Sequence, residues 1–243
     1  MKIIKCRFVL LIICAFLFAI SATAQDGITI RNKTVICGSY NLPRDIIQKN
    51  IFLLFYYYLQ GKRDLLILVD KNNRLPANYA PKDLERIENT KHYLRAEAKQ
   101  QFSAMIEAAR QSGIILYPVS TYRTFEYQKN LFERSVKTRG IEHAQRYVAR
   151  AGESQHQLGL AADINGTETY FEKTLAFKWL LKNAGKYGFS LSFPKDKEKE
   201  TGYAYEPWHW RYVTPEGVKM QNDFFDGSQH KMLSFFKQCL YNQ

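Results

Sequence analysis

The sequence predicts an α+β domain, on three observations. Apolar residues recur every three or four positions over long segments. Short apolar runs stand between those segments. The two kinds of segment follow one another in mixed order, without a repeat. The 243 residues, 46% hydrophobic and 24% charged, suffice for one domain with its own core, and long disorder is not expected.

Residues 25–43 look irregular, with Gly27, Gly38 and Pro43 as breakers. Ile47, Ile51, Leu54, Phe55, Tyr58 and Leu59 have helical spacing over 45–60. Leu65 to Val69 is an apolar run of strand length, and Pro76 and Pro81 make 72–81 an extended connection. Leu94, Ala98, Phe102, Met105, Ile106 and Ala109 predict a helix over 91–112, which Gly113 stops. Ile114 to Val119 reads as a buried strand. A helix carrying Phe125, Gln128, Leu131 and Phe132 follows and closes at Gly140, and a shorter one covers 141–150. After a loop at 152–157, Leu158 to Ile164 is a strand, and 171–187 is a helix stopped by Gly188. Residues 189–193 and 208–213 are strands. Thr214 caps a last helix and Pro215 opens it.

The first 24 residues differ from the rest. Lys2, Lys5 and Arg7 precede an apolar run from Phe8 to Ile20, and Ala22-Thr23-Ala24 supplies small residues for cleavage. This is the pattern of a secretory signal peptide, so export to the periplasm, cell wall or medium is expected. A retained N-terminal anchor is the alternative. No later apolar stretch has spanning length, so no transmembrane helix is expected after the leader is removed.

Removing Lys2, Lys5 and Arg7 lowers the net charge from +12 to +9. Such a surface could be drawn weakly to anionic wall polymers, or be no more than a solvated basic surface. Nucleic acid is not expected as a partner of an exported chain. Cys6 and Cys14 leave with the leader. Cys37 and Cys239 remain, as a disulfide or as two buried thiols.

Two segments carry candidate chemistry. In Ser154-Gln155-His156-Gln157-Leu158-Gly159-Leu160-Ala161-Ala162-Asp163, strand alternation places Gly159, Ala161 and Asp163 on one face. Small residues there leave space in front of a carboxylate, which is either a metal ligand or half of an ion pair. In Glu206-Pro207-Trp208-His209-Trp210-Arg211, the tryptophans alternate with His209, and Glu206 reaches the same region across a proline. Two imidazoles and a carboxylate make the three protein ligands of a catalytic zinc, and a fourth, unligated carboxylate can take a proton from water. His156, Asp163, His209 and Glu206 supply those parts. Scattered core histidines and ion pairs are the other reading of the same residues. His92, His143 and His230 sit among charged or polar neighbours and read as exposed histidines.

The segment Ser154 to Asp163 resembles the S-x-H-x-x-G-x-A-x-D motif of VanY-type D-alanyl-D-alanine carboxypeptidases, and Glu206 to His209 resembles their E-x-W-H motif. Leu65 to Pro81 and the Tyr122-Arg123…Gln128 element extend the resemblance over 65–213. It implies helices packed on a small central antiparallel sheet, Zn2+ held by His156, Asp163 and His209, and Glu206 as catalytic base. It also implies that Arg123, Ser154, Tyr122 and Gln128 bind substrate. Arg123 suits the substrate's terminal carboxylate, unless it pairs with a structural acid such as Glu126. The expected organisation is a leader over 1–24, an N-terminal extension with a helix over 25–60, and a zinc carboxypeptidase domain over 61–243. The expected reaction releases a terminal D-alanine from peptidoglycan stem peptides. L,D-carboxypeptidase or cross-link endopeptidase activity would use the same metal chemistry. A wall-binding module without turnover would usually lack a ligand or the base. Thr124 and Ala151 depart from residues common in the family, and neither touches the expected metal or base.

Overall fold

The computed structural model describes residues 28–31, 34–37, 40–43 and 63–238. The expected leader and the expected helix over 45–60 lie outside the described residues, as does Cys239 and so the pairing of Cys37. Part of the segment expected to be irregular is instead an antiparallel meander of β1 (Ile28–Arg31), β2 (Thr34–Cys37) and β3 (Tyr40–Pro43). Only two residues separate each pair of strands, the spacing of tight hairpins. Pro43 lies on β3, an edge strand, where a missing N–H is tolerated.

The main body begins with a 3-10 turn at Arg63–Leu66. The hairpin of β4 (Leu84–Arg86) and β5 (Tyr93–Arg95) leads into α1 (Ala96–Gln111). Then come β6 (Pro118–Ser120), α2 (Phe125–Arg139), α3 (Ile141–Tyr147) and β7 (Ala161–Ile164). After α4 (Leu175–Asn183) and β8 (Phe189–Leu191), a short α5 (Glu198–Thr201) precedes β9 (His209–Tyr212). Two helices follow, α6 (Pro215–Phe224) and α7 (Gln229–Phe236). The central sheet is antiparallel throughout, in the order β6-β7-β9-β8. The fold is α+β, with helices around a small antiparallel sheet.

The core lies between α1 and this sheet. Ala98, Phe102, Met105 and Ala109 form one fully buried face of α1. Phe102 meets Phe189 edge-on at 5.6 Å, and Phe189 meets Tyr212 at 5.4 Å. Truncating a buried Phe of this kind costs about 3–5 kcal/mol. Helix ends follow local chemistry. Thr124, Thr174 and Thr214 accept the N-cap hydrogen bonds of α2, α4 and α6. Gly188 stops the helical stretch at φ 76°, where a Cβ would lie 2.8 Å from the Thr214 carbonyl carbon.

Several elements depart from their sequence pattern, each for a tertiary reason. Leu65 to Val69 is not a strand. The fully buried Arg211 donates to the carbonyls of Leu65 at 3.3 Å and Ile67 at 2.7 Å, so a side chain uses the groups a neighbouring strand would have used. The helix expected from 91 starts at Ala96, because the N–H of Arg95 is held by the Gly159 carbonyl and β5 pairs with β4. Leu94 is buried all the same, so the apolar period continues through a change of structure. The strand expected over 114–119 shrinks to 118–120. The Asn165 side chain accepts from Tyr117 N and donates to Ile115 O, both at 2.8 Å, and Ile115 is exposed. Residues 171–187 divide into a 3-10 turn at Thr169–Lys173, α4, and a second turn at Ala184–Tyr187.

Candidate metal centre and active site

Three adjacent strands bring the centre together. Across the sheet, Ser120 of β6 stands opposite Asp163 of β7, and Asp163 stands opposite His209 of β9. Directly opposed residues have Cβ atoms about 5 Å apart, so this register alone places His209 against Asp163. His156 arrives from the 3-10 turn Gln155–Leu158, which Ser154 caps by accepting the His156 N–H at 3.3 Å. Gly159 ends that turn at φ 68°. It therefore does not continue the open face of β7, as strand alternation predicts. Its Cα packs so tightly on Leu84 and Arg95 that a Cβ would lie 2.8 Å from Leu84 Cδ2.

His156, Asp163 and His209 are buried, and one ligand atom from each lies within 4.8 Å of the others. Asp163 Oδ2 is 3.3 Å from His156 Nε2, and Asp163 Oδ1 is 3.1 Å from His209 Nδ1. The hydrogen bonds behind the rings decide which nitrogen faces inward. His156 Nδ1 lies 2.7 Å from the Thr121 carbonyl, which only accepts, so Nδ1 carries the proton and Nε2 keeps its lone pair. His209 Nε2 lies 3.1 Å from Gln155 Oε1 and Nδ1 lies 3.1 Å from Asp163 Oδ1, so a cation bound beside Asp163 would take the Nδ1 lone pair and leave the proton on Nε2, facing Gln155. The two histidines thus present different nitrogens to one point. Burial first, then the Arg123 charge, push the His156 imidazole down to about 4. Burial alone would raise Asp163. His156, His209 and Arg123 outweigh it and hold that carboxyl well below its usual range.

Glu206 sits in the turn before β9, with Oε2 3.7 Å from His209 Nδ1. Its N–H donates to Phe193 O, and its carbonyl accepts from His209 N. Burial, and next the Asp163 carboxylate, push its carboxyl well above the usual range. These groups line a cavity of about 550 Å³ that opens along α2 and α3. The donor set suits a divalent cation: two imidazole nitrogens and one carboxylate converge within 4.8 Å of one another. Each histidine is also oriented by an outer acceptor, the usual support of a metal-binding histidine.

Arg123 pairs with an acid other than the one expected. Its acid partner is Asp163, at 2.7 Å from Nη2, and not Glu126. Nε donates to Ser120 Oγ at 2.8 Å and Nη1 to Gln128 Oε1 at 3.3 Å. Three of its five N–H groups are therefore used, and one remains on each terminal nitrogen. Gln128 is buried and also donates to Ala149 O at 2.7 Å, so both ends of its amide hold protein groups. Ser154 lines the cavity. Tyr122 is half-buried and is not among the cavity-lining residues. Of the other histidines, His143 lines the cavity from α3 and stacks on Tyr147 at 4.7 Å. His230 is only partly exposed, 3.1 Å from Asp70.

Sequence reasoning missed Gln155, Thr121, Phe193 and the α2–α3 wall. Gln155 adjoins a predicted ligand, but nothing in its spacing shows that it faces His209, 54 residues away. Ser192 Oγ lies 2.7 Å from Gln155 Oε1 and 3.1 Å from Gln229 Oε1, so the support of His209 reaches α7. The Phe193 ring packs 4.8 Å from the His209 ring.

Comparison with known proteins agrees with this geometry. A family model described as VanY, D-alanyl-D-alanine carboxypeptidase, matches residues 91–215. The putative carboxypeptidase YodJ of Bacillus subtilis (strain 168) is 41% identical over 181 residues, which is 68% of this chain and 66% of YodJ. The match thus spans just under two thirds of that relative's length. Among solved structures, the LD-carboxypeptidase LdcB superposes with a TM-score of 0.63 at 36% identity, covering 73% of this chain and 88% of LdcB. A variant of the vancomycin-resistance D,D-pentapeptidase VanY, in complex with Zn(II), superposes with a TM-score of 0.60 at 31% identity, covering 70% and 99%. The chain belongs to the VanY family of D-alanyl-D-alanine carboxypeptidases.

Proposed function

We propose that this chain is an exported zinc carboxypeptidase that releases a terminal D-alanine from peptidoglycan stem peptides. One observation carries the reading most directly: two buried histidine nitrogens and a buried carboxylate converge, with a second carboxylate beside them, at one end of an open groove. Family membership supports it, as does the Zn(II) complex of the VanY neighbour. His156 Nε2, Asp163 and His209 Nδ1 would hold the ion. Bound zinc lowers the pKa of a water to about 7 and polarises a carbonyl. Glu206, made basic by burial, accepts the proton of the attacking water. As the C–N bond breaks, it returns that proton to the amine of the departing residue. Arg123 keeps Asp163 ionised and aimed, and its two spare N–H groups suit the substrate's terminal carboxylate. Ser154 and Gln128 hold this arrangement from either side. Export rests on the leader pattern of residues 1–24. No helix among the described residues is long and apolar enough to cross a membrane.

The likeness to LdcB favours a second reading, in which the bond cut follows an L-centre. Mass spectrometry of muropeptides incubated with the zinc-loaded protein separates the two. Conversion of pentapeptide to tetrapeptide stems is expected. Conversion of tetrapeptide to tripeptide stems alone would select the second reading, and no change in either would overturn the peptidase assignment.

A further inference from the structure

The groove extends well beyond the metal-binding cluster, and its far wall carries charge that the protein itself does not neutralise. Gln128, Leu131, Arg134, Ser135 and Thr138 are spaced three or four apart, so they share one face of α2, and all line the cavity. Gln128 marks the inner end through its bond to Arg123. Arg139, the last residue of α2, marks the outer end, where its Nη1 lies 3.5 Å from His143 Nε2.

The arginines around this groove fall into two groups. Arg123 pairs with Asp163, Arg74 with Glu153, and Arg146 with Glu198. Arg134 and Arg139 pair with no carboxylate among the described residues, although both line the cavity. Glu153 and Asp163, two of the acids that line the cavity, are already matched by those other arginines. Glu168 stands on the wall, with no basic partner among the described residues. The α2 side of the outer groove is therefore positive and available. A helical face of solvated arginines would be unremarked elsewhere. Here the same face begins at the active-site arginine's own partner.

Helix geometry gives the scale. At about 1.5 Å per residue, Arg134 lies about 9 Å and Arg139 about 16 Å along the axis from Gln128. An extended peptide advances about 3.3 Å per residue, so these distances correspond to about three and about five residues of substrate. Helical side chains lean toward the N-terminal end, which carries both guanidinium groups back toward the cluster.

We propose that Arg134 and Arg139 form an anion subsite for the carboxylate of an acidic residue about three positions before the scissile bond. The inference rests on the peptidase reading above and adds its substrate class: an acidic peptide in preference to its amidated counterpart. A guanidinium fork makes paired, charge-assisted hydrogen bonds to a carboxylate, whereas a carboxamide offers one neutral acceptor.

The test uses two pentapeptides ending in D-Ala-D-Ala that differ only in D-Glu or D-Gln at the second position. The neutral diacetyl-Lys-D-Ala-D-Ala serves as a third substrate. With zinc-loaded protein, kcat/KM is expected to favour the Glu peptide about 10-fold, chiefly through KM, and the preference should shrink at high salt. In the double variant Arg134→Gln with Arg139→Gln the ratio should fall to near one. Lys137→Gln removes a charge from α2 outside the cavity lining and should keep the ratio. A wild-type ratio near one, or a preference that survives the double variant, overturns the subsite. Failure of the peptidase reading looks different: no D-alanine is released from any of the three peptides. Calorimetric titration of both pentapeptides into the Glu206→Gln protein then still measures the preference without turnover. Equal affinity, or no binding of either peptide, counts against the subsite there too.

Discussion

The two ends of the groove are built in opposite ways. At the inner end every group that would touch a metal ion is held from behind. His156 is tied to Thr121 O, His209 to Gln155, and Asp163 to Arg123, all in buried surroundings. At the outer end Arg134 and Arg139 are exposed and make no ion pair among the described residues. The difference follows from what each end must do. Chemistry needs atoms fixed to within a fraction of an ångström, so orientation is settled on folding. Recognition of a flexible chain tolerates loose side chains and loses their rotamer entropy on binding.

The largest effect expected at the inner end is that of removing a ligand. His209→Ala should lose both metal and turnover, with activity down by at least about 1000-fold. Elemental analysis together with D-alanine release checks this, and full zinc occupancy in that variant would remove His209 from the ligand set. Glu206→Gln should keep zinc and lose at least about 100-fold in turnover. The same variant sharpens the electrostatics. Glu206 has a raised carboxyl pKa in the folded state, so its stabilising contribution exists at low pH and is lost as pH rises through that value. Metal-free Glu206→Gln should therefore melt higher than metal-free wild type at pH 8. An unchanged melting temperature would mean that the carboxyl is not strained by burial.

Acid should loosen the inner end first. His156 is pushed from 6.5 down to about 4 in the metal-free fold, so the unfolded chain binds its proton more readily. The associated stability is complete above pH 6.5 and drains away as pH falls toward 4, by about 3 kcal/mol. Glu206 titrates with the opposite sign, so denaturant titrations of chelated Glu206→Gln protein across that window isolate the effect, and a flat profile there would contradict the burial argument. The smallest effect concerns an outer support. Gln155→Leu removes the acceptor of His209 Nε2 and should weaken zinc binding about 10-fold or more, as loss of such partners usually does. Gln155→Glu restores an acceptor and should recover most of that affinity. If the two variants bind zinc equally, Gln155 fills space and does not orient the ring.

Some of this molecule was legible from its residues one after another. Caps and stops are local chemistry, so Thr214, Gly140 and Gly188 announce their helix ends directly. The spacing within Ser154 to Asp163 and within Glu206 to His209 names the groups that converge, because a short turn and a strand of known period place them. Other features were not legible. The apolar run at Leu65 to Val69 has the composition of a strand and becomes none, because Arg211, far along the chain, occupies its carbonyls. Ile114 to Val119 fails in the same way at Asn165.

The chain by itself therefore determined the fold class, some helix ends and the identities of the converging groups, since those depend on neighbours a few residues apart. Only the tertiary structure decided which nitrogen of each histidine faces inward, that Arg123 pairs with Asp163, and that Gln155 stands behind His209. Those are contacts between segments 35 to 54 residues apart. They are set by the register of β7 against β6 and β9, which no local pattern encodes.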